Sequence, residues 1–158
     1  MPRYIEDFTP GETFDGASRT ITEADIVQFT GLSWDSNPVH TDAVVAAQGP
    51  FGARIAHGAL TLAAVTGLSA KSGQLDGTAI AFLGIDEWRF HGPVLIGDTI
   101  RLRWVVLKAQ RSSSKPDRGM LSRRMEVWNQ RSELVQSGIF TTLVRARPTL
   151  PETRNHAP

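Results

Sequence analysis

Gly58-Ala59-Leu60-Thr61-Leu62-Ala63-Ala64-Val65-Thr66-Gly67-Leu68-Ser69-Ala70 decides the fold. Its bulky residues Leu60, Leu62, Val65 and Leu68 are spaced by Ala, Gly, Ser and Thr, and no position is charged. A helix that is apolar on nearly all sides is read as buried all round, so something has to wrap it. The stretch is too short to span a bilayer, which takes about 20 apolar residues.

The wrapper lies downstream. Residues 79–90, 98–108, 120–130 and 134–145 are each long enough for a strand, and Ile100-Arg101-Leu102-Arg103-Trp104 alternates apolar with charged, as does Met125-Glu126-Val127. Such alternation gives a strand with one buried and one wet face. The joints His91-Gly92-Pro93, Gly97-Asp98, residues 111–119 and residues 129–133 favour an antiparallel sheet. The polar run 111–119 is expected to be mobile and receives no function. Upstream, residues 12–21 read as a first strand. Thr22-Glu23-Ala24-Asp25 has the form of a capping box, predicting a helix to Thr30 that buries Ile26, Val27 and Phe29. Residues 33–40 read as loop, because Pro38 disfavours helical geometry at Asn37. A short helix follows over 41–47, closed by Gly49-Pro50, and 51–56 is a second connection. The class is α+β: one long central helix against an antiparallel sheet.

The chain of 158 residues is read as one domain, with its core over about 8–146 and a peripheral tail at 147–158. Apolar residues make up 41% and charged residues 21%, an ordinary globular composition. Seventeen basic residues against sixteen acidic leave a net charge of +1, which gives no reason to expect a nucleic-acid partner. The basic residues between Arg101 and Arg131 are interleaved with apolar ones and read as a solvated strand face. No cysteine is present, so disulfides, thiolate metal sites and cysteine nucleophiles are excluded. Met1 to Pro10 has no apolar core of a signal peptide, and a cytoplasmic protein without membrane association is expected.

Two segments can carry chemistry. In Trp34-Asp35-Ser36-Asn37-Pro38-Val39-His40 a carboxylate and an imidazole lie five residues apart across a proline turn, and Asn37 can brace the loop. Asp35 and His40 can converge on one water and share general acid–base work. The same residues also make a good turn followed by a capping histidine, and that reading stays open. In Arg54-Ile55-Ala56-His57-Gly58, the glycine opens the buried helix, where unpaired amides and the helix dipole favour a developing negative charge. Gly58 equally suits close packing alone, and His57 reads first as a structural helix-start residue. The histidines are His40, His57, His91 and His156, with no pair at helical ligand spacing, so no metal is expected. Neither a Gly-x-Ser-x-Gly elbow nor a phosphate-cradling glycine loop occurs.

The stretch Phe29-Thr30-Gly31-Leu32-Ser33-Trp34-Asp35-Ser36-Asn37-Pro38-Val39-His40 resembles the hydratase motif of the MaoC-like dehydratase family, the (R)-specific enoyl-CoA hydratases of the hotdog fold. The resemblance continues through Phe51-Gly52 and Arg54-Ile55-Ala56-His57-Gly58. It resumes at Trp88-Arg89-Phe90, Pro93-Val94 and Gly97-Asp98-Thr99, and covers roughly Phe8 to Val144. It implies a hotdog fold and a homodimer, or higher homo-oligomer built from dimers, with sheets joined edge to edge and active sites at the subunit boundary. It further implies reversible hydration of a 2-enoyl thioester of CoA or acyl carrier protein, without a cofactor. Asp35 and His40 would be the dyad, Asp35 activating water and His40 donating the proton. Asn37 would be its support and Gly58 N–H the oxyanion donor. Trp34, His57 and Thr66 are carried as substrate-contacting residues. One departure is that relatives commonly have glycine where this chain has Trp34. A tryptophan adopts positive φ only at a cost, so the loop is expected to take a different path, with the indole filling part of the acyl pocket and favouring a short or branched acyl group. An acyl-CoA thioesterase and a non-catalytic acyl-CoA-binding subunit remain rival readings on the same fold.

Overall fold

Alternating side chains curl the second half of the chain into a half-buried sheet. In the computed structural model, which describes residues 2–148, β1 (Thr13–Thr20), β2 (Ala79–Phe90), β3 (Thr99–Arg111), β4 (Arg118–Trp128) and β5 (Leu134–Arg145) form one sheet in the order β1-β3-β4-β5-β2. Every pairing is antiparallel, with registers such as Trp104 opposite Met125 and Met125 opposite Gly138. One face of β3 buries Ile100, Leu102, Trp104 and Val106, and β4 adds Leu121, Met125 and Val127. Phe14 stacks on Trp104 at 4.0 Å between ring centroids. Gly138 is small for a reason: a Cβ there would lie 2.4 Å from the Trp88 ring.

Across this concave face lies α4 (Gly58–Lys71), burying Leu60, Thr61, Ala64, Val65 and Leu68. That is the hotdog arrangement implied by the sequence. All-round burial of α4 is corrected, however. Ala59, Ala63, Thr66, Gly67 and Ala70 form an exposed stripe along it, because the sheet covers only one side of the helix. The sheet also ends in an open edge at β2, which pairs only with β5. Around that edge Ile80, Phe82, Leu83, Ile85 and Phe90 are exposed.

The capping box forms as read: Thr22 N–H donates to Asp25 Oδ2 at 2.8 Å, and Asp25 N–H to Thr22 Oγ1 at 3.4 Å. The resulting α1 (Glu23–Ser33) runs three residues past the expected end. Ile26 is buried, but Val27 is 62% exposed, against expectation. The expected 41–47 helix is two pieces, α2 (Pro38–Thr41) and α3 (Ala43–Ala47). Asp42 separates them in extended geometry, and its carboxylate accepts from Val44 and Val45 N–H. Of the polar run 111–119, Arg111 ends β3, Arg118 and Gly119 begin β4, and residues 112–117 form the loop between them, where Ser112 N–H donates to Arg118 O at 2.9 Å. Residues 149–158, most of the tail expected to be peripheral, lie outside the described residues, as does His156. No helix among the described residues is long and apolar enough to cross a membrane.

Candidate active site

The loop from α1 to α2 is shaped by its own short polar side chains. Trp34 N–H closes α1 onto Thr30 O at 2.9 Å, with Trp34 itself left-handed at φ 63°. Trp34 thus holds the left-handed conformation that glycine adopts more readily. An L residue held there costs about 1–2 kcal/mol. The indole is 88% exposed and fills no cavity of this protomer. Asp35 N–H then donates to Ser33 Oγ at 3.2 Å, Asn37 N–H to Asp35 Oδ1 at 3.2 Å, and Val39 N–H to Asn37 Oδ1 at 3.2 Å. Asn37 is thus the cap of α2, with Pro38 pre-set at its first position. This relay aims Asp35 and His40 toward one another.

His40 is 8% exposed and its Nδ1 lies 2.7 Å from Ile55 O. A carbonyl only accepts, so Nδ1 carries the hydrogen and Nε2 is the exchanging nitrogen. Nε2 faces Asp35 Oδ2 at 3.9 Å. That separation is too long for a direct hydrogen bond and suits one bridging water.

Behind the pair sits His57, 2% exposed. Its Nε2 donates to the backbone carbonyl of Asp35 at 2.9 Å, and its ring stacks on that of His40 at 3.8 Å and 29°. It does not line the cavity that His40 opens onto; its contacts brace the Asp35–His40 pair from behind. Asp35, His40 and His57 do bring potential ligand atoms within 4.8 Å of one another, a cluster that sequence spacing did not show. One nitrogen of each ring is spent on a backbone carbonyl, His40 Nδ1 on Ile55 O and His57 Nε2 on Asp35 O, which leaves one nitrogen of each ring for other partners.

His40 opens onto a cavity of about 540 Å³ lined also by Phe51, Ile55, Gly58, Phe90 and Gln136. Gly58 begins α4, where the first amides have no intrahelical acceptor and carry the positive end of the dipole. Close approach requires glycine here: a Cβ would stand 2.5 Å from Phe90 Cε1. Gln136 was not picked out from sequence. It is buried, accepts from Trp88 Nε1–H at 3.1 Å and donates to Gly58 O at 3.3 Å, which ties β5 to the start of α4. Its signal was an inward position on an alternating strand. Arg54 holds the other side, making two bonds to Glu23 at 2.8 and 2.5 Å and so fastening α1 to the segment before α4.

Thr66 is not brought to this cavity. It lies eight residues beyond Gly58, about 12 Å along the helix, and lines a second cavity of about 510 Å³. In that cavity stands Arg123, expected on a solvated face but 3% exposed. The alternation of β4 explains the correction, since Arg123 falls in the inward series of Leu121, Met125 and Val127. Burial pulls its guanidinium down to about 10, which still leaves it charged at neutral pH.

Residues 7–125 match the family described as MaoC like domain. The chain is 37% identical over 129 residues to Protein MaoC of Klebsiella aerogenes, covering 82% of this chain and 37% of that protein. It is 36% identical over 97 residues to an (R)-specific enoyl-CoA hydratase of Rhodospirillum rubrum, covering 61% of this chain and 65% of that protein. The chain thus spans less than two thirds of the length of either relative. Among solved structures, a monoamine oxidase regulatory protein from Archaeoglobus fulgius superposes with a TM-score of 0.83 at 38% identity, covering 93% of this chain and 97% of that one. With three quarters of its length matched and the fold shared, the chain belongs to the MaoC-like domain family.

Proposed function

We propose that this protein adds water reversibly to the double bond of a 2-enoyl thioester, carried by CoA or acyl carrier protein, to give the (R)-3-hydroxyacyl thioester. The observation that carries the proposal is the 3.9 Å gap between His40 Nε2 and Asp35 Oδ2, beside a cavity that His40 shares with Gly58. The hydratase name borne by a relative 36% identical supports it.

One water donates its hydrogens to Asp35 Oδ2 and His40 Nε2. As its oxygen bonds to C3, one O–H bond breaks and that proton passes to His40 Nε2. Asp35 orients and activates the water through its other hydrogen, and His40 Nε2 then delivers the proton it has taken to C2 on the same face. Because coupled groups share their protons, the pair titrates as a unit. Gly58 N–H and the α4 dipole hold the enolate oxygen that develops between these events. Net, an O–H and a C=C π bond are exchanged for C–O and C–H bonds. No electrons leave the substrate, so the reaction calls for no redox cofactor.

The active unit is a homodimer. An edge strand with unpaired backbone groups and exposed Ile80, Phe82, Leu83, Ile85 and Phe90 is a ready partner for its own copy. Incubation of the purified protein with crotonyl-CoA, followed by chiral analysis of product and a thiol assay, tests the reading. The expected result is (R)-3-hydroxybutyryl-CoA without free thiol. Thiol release with no hydroxyacyl product would instead establish a thioesterase, and no turnover of any enoyl thioester a binding subunit.

A further inference from the structure

The second cavity holds an arginine that no carboxylate among the described residues neutralises. Arg123 donates from one terminal nitrogen to Ser69 Oγ at 3.0 Å and from the other to Thr142 Oγ1 at 3.0 Å, and its guanidinium lies 5.0 Å over the Trp104 ring. Its Nε is buried without a partner. Among the described residues no acidic side chain pairs with it; Asp76 lines the same cavity but stays on its exposed rim. A desolvated cation held by neutral hydroxyls is costly unless an anion completes it, and the cavity of about 510 Å³ beside it has room for one.

Symmetry says which anion. The catalytic cavity touches β2 at Phe90, whereas the arginine cavity touches it at Ile80 and Phe82, near the opposite end. Two copies joined by a twofold axis through their β2 edges must pair antiparallel. The Phe90 end of one strand then lies beside the Ile80 end of the other. In a dimer so joined, the catalytic cavity of one protomer would meet the arginine cavity of its partner, with the exposed small-residue stripe of α4 as a floor.

Resting on the hydratase and dimer readings above, we propose that the partner subunit's Arg123 binds a carboxylate at the far end of the acyl group, so that the substrates are 2-enoyl thioesters with an acidic terminus. Ser69 and Thr142 keep the guanidinium splayed toward that terminus, and Trp104 covers its rear face.

The test compares kcat/KM for glutaconyl-CoA and its longer acidic homologues with trans-2-pentenoyl-CoA and the matching methyl-ended homologues, in wild type and Arg123→Met. The wild type should favour an acidic substrate, and the variant should lower the acidic-to-neutral ratio by about ten- to a hundredfold, the weight of a charge-assisted hydrogen bond. A wild-type preference for every methyl-ended substrate, or a ratio unmoved in the variant, overturns the proposal. If Arg123→Met does not fold, Ser69→Ala and Thr142→Val serve instead; each should lower the same ratio, and an unchanged ratio in both overturns it. Thermal-shift titration with glutarate separates the sources of the anion. An Arg123-dependent shift by free glutarate without any acidic-substrate preference overturns the acyl assignment. Absence of turnover with every enoyl thioester refutes the hydratase reading itself, and there a missing glutarate shift refutes the anion site as well.

Discussion

Replacing Gly58 by alanine separates the packing role of this position from its chemical one. The new Cβ would meet Phe90 Cε1 at 2.5 Å, Cδ1 at 3.0 Å and Cζ at 3.1 Å. Ordinary carbon contacts begin near 3.5 Å, so the ring has to retreat by about 1 Å. Within one protomer Phe90 is 62% exposed and can do so cheaply. Alanine also favours helix over glycine by up to about 1 kcal/mol. The fold should therefore change by less than about 1 kcal/mol, or about 2–4 °C in melting temperature for a domain of this size. The rate should not be spared, because the methyl group occupies the approach to the Gly58 amide, and losing one such donor costs about 10² to 10³ in kcat. Steady-state hydration of crotonyl-CoA measures the loss, and Gly58→Ala with Phe90→Ala is the control. If displaced Phe90 were the cause, the double variant would recover wild-type rate; the donor account predicts that it stays impaired. A folded single variant within threefold of wild type would refute the reasoning.

Trp34→Gly should raise the melting temperature by a few degrees, since it relieves a left-handed L residue costing about 1–2 kcal/mol while removing an indole that is 88% exposed; a fall would show that the indole is buried against another subunit. His57→Phe keeps a ring against His40 but deletes the bond to the Asp35 carbonyl, so kcat should fall about tenfold with KM nearly unchanged, and a pure KM effect would place His57 against substrate after all. Asp98 anchors the turn before β3: burial pushes its carboxyl up, but Arg131, Gln130 and the Leu95 amide outweigh this and hold it below the usual carboxylate range. A lowered folded pKa stabilises above the unfolded value near 4 and is lost as pH falls through the folded one. Asp98→Asn should therefore be less stable than wild type at pH 7 by about 1–3 kcal/mol, and the gap in denaturation midpoints should close below about pH 4; a gap independent of pH would contradict the assignment.

The parts legible in the sequence were those set by local physics. Alternation marked β3 and β4, the capping box started α1, and the uninterrupted apolar run became α4. What stayed hidden depended on which side of an element meets a partner. Ala59, Ala63 and Ala70 look as buried as Ala64, yet the sheet covers only one side of α4. Val27 failed in the same way, as an apolar position facing outward from a single protomer. Asp35, Asn37 and His40 could be named because their loop is built from short-range bonds within a few residues. The stacking of His57 on His40 and the burial of Arg123 arise only when distant segments meet, and charge type misled where period would have served.

Whether Asp35 and His40 work as one device on one water is tested directly by a double-mutant cycle in kcat. Asp35→Asn and His40→Gln should each lower hydration of crotonyl-CoA by about 10² to 10⁴, and the double variant should be little worse than either, as for residues that act as a unit. Losses that multiply, or a folded single variant with near wild-type turnover, would contradict the shared-water site.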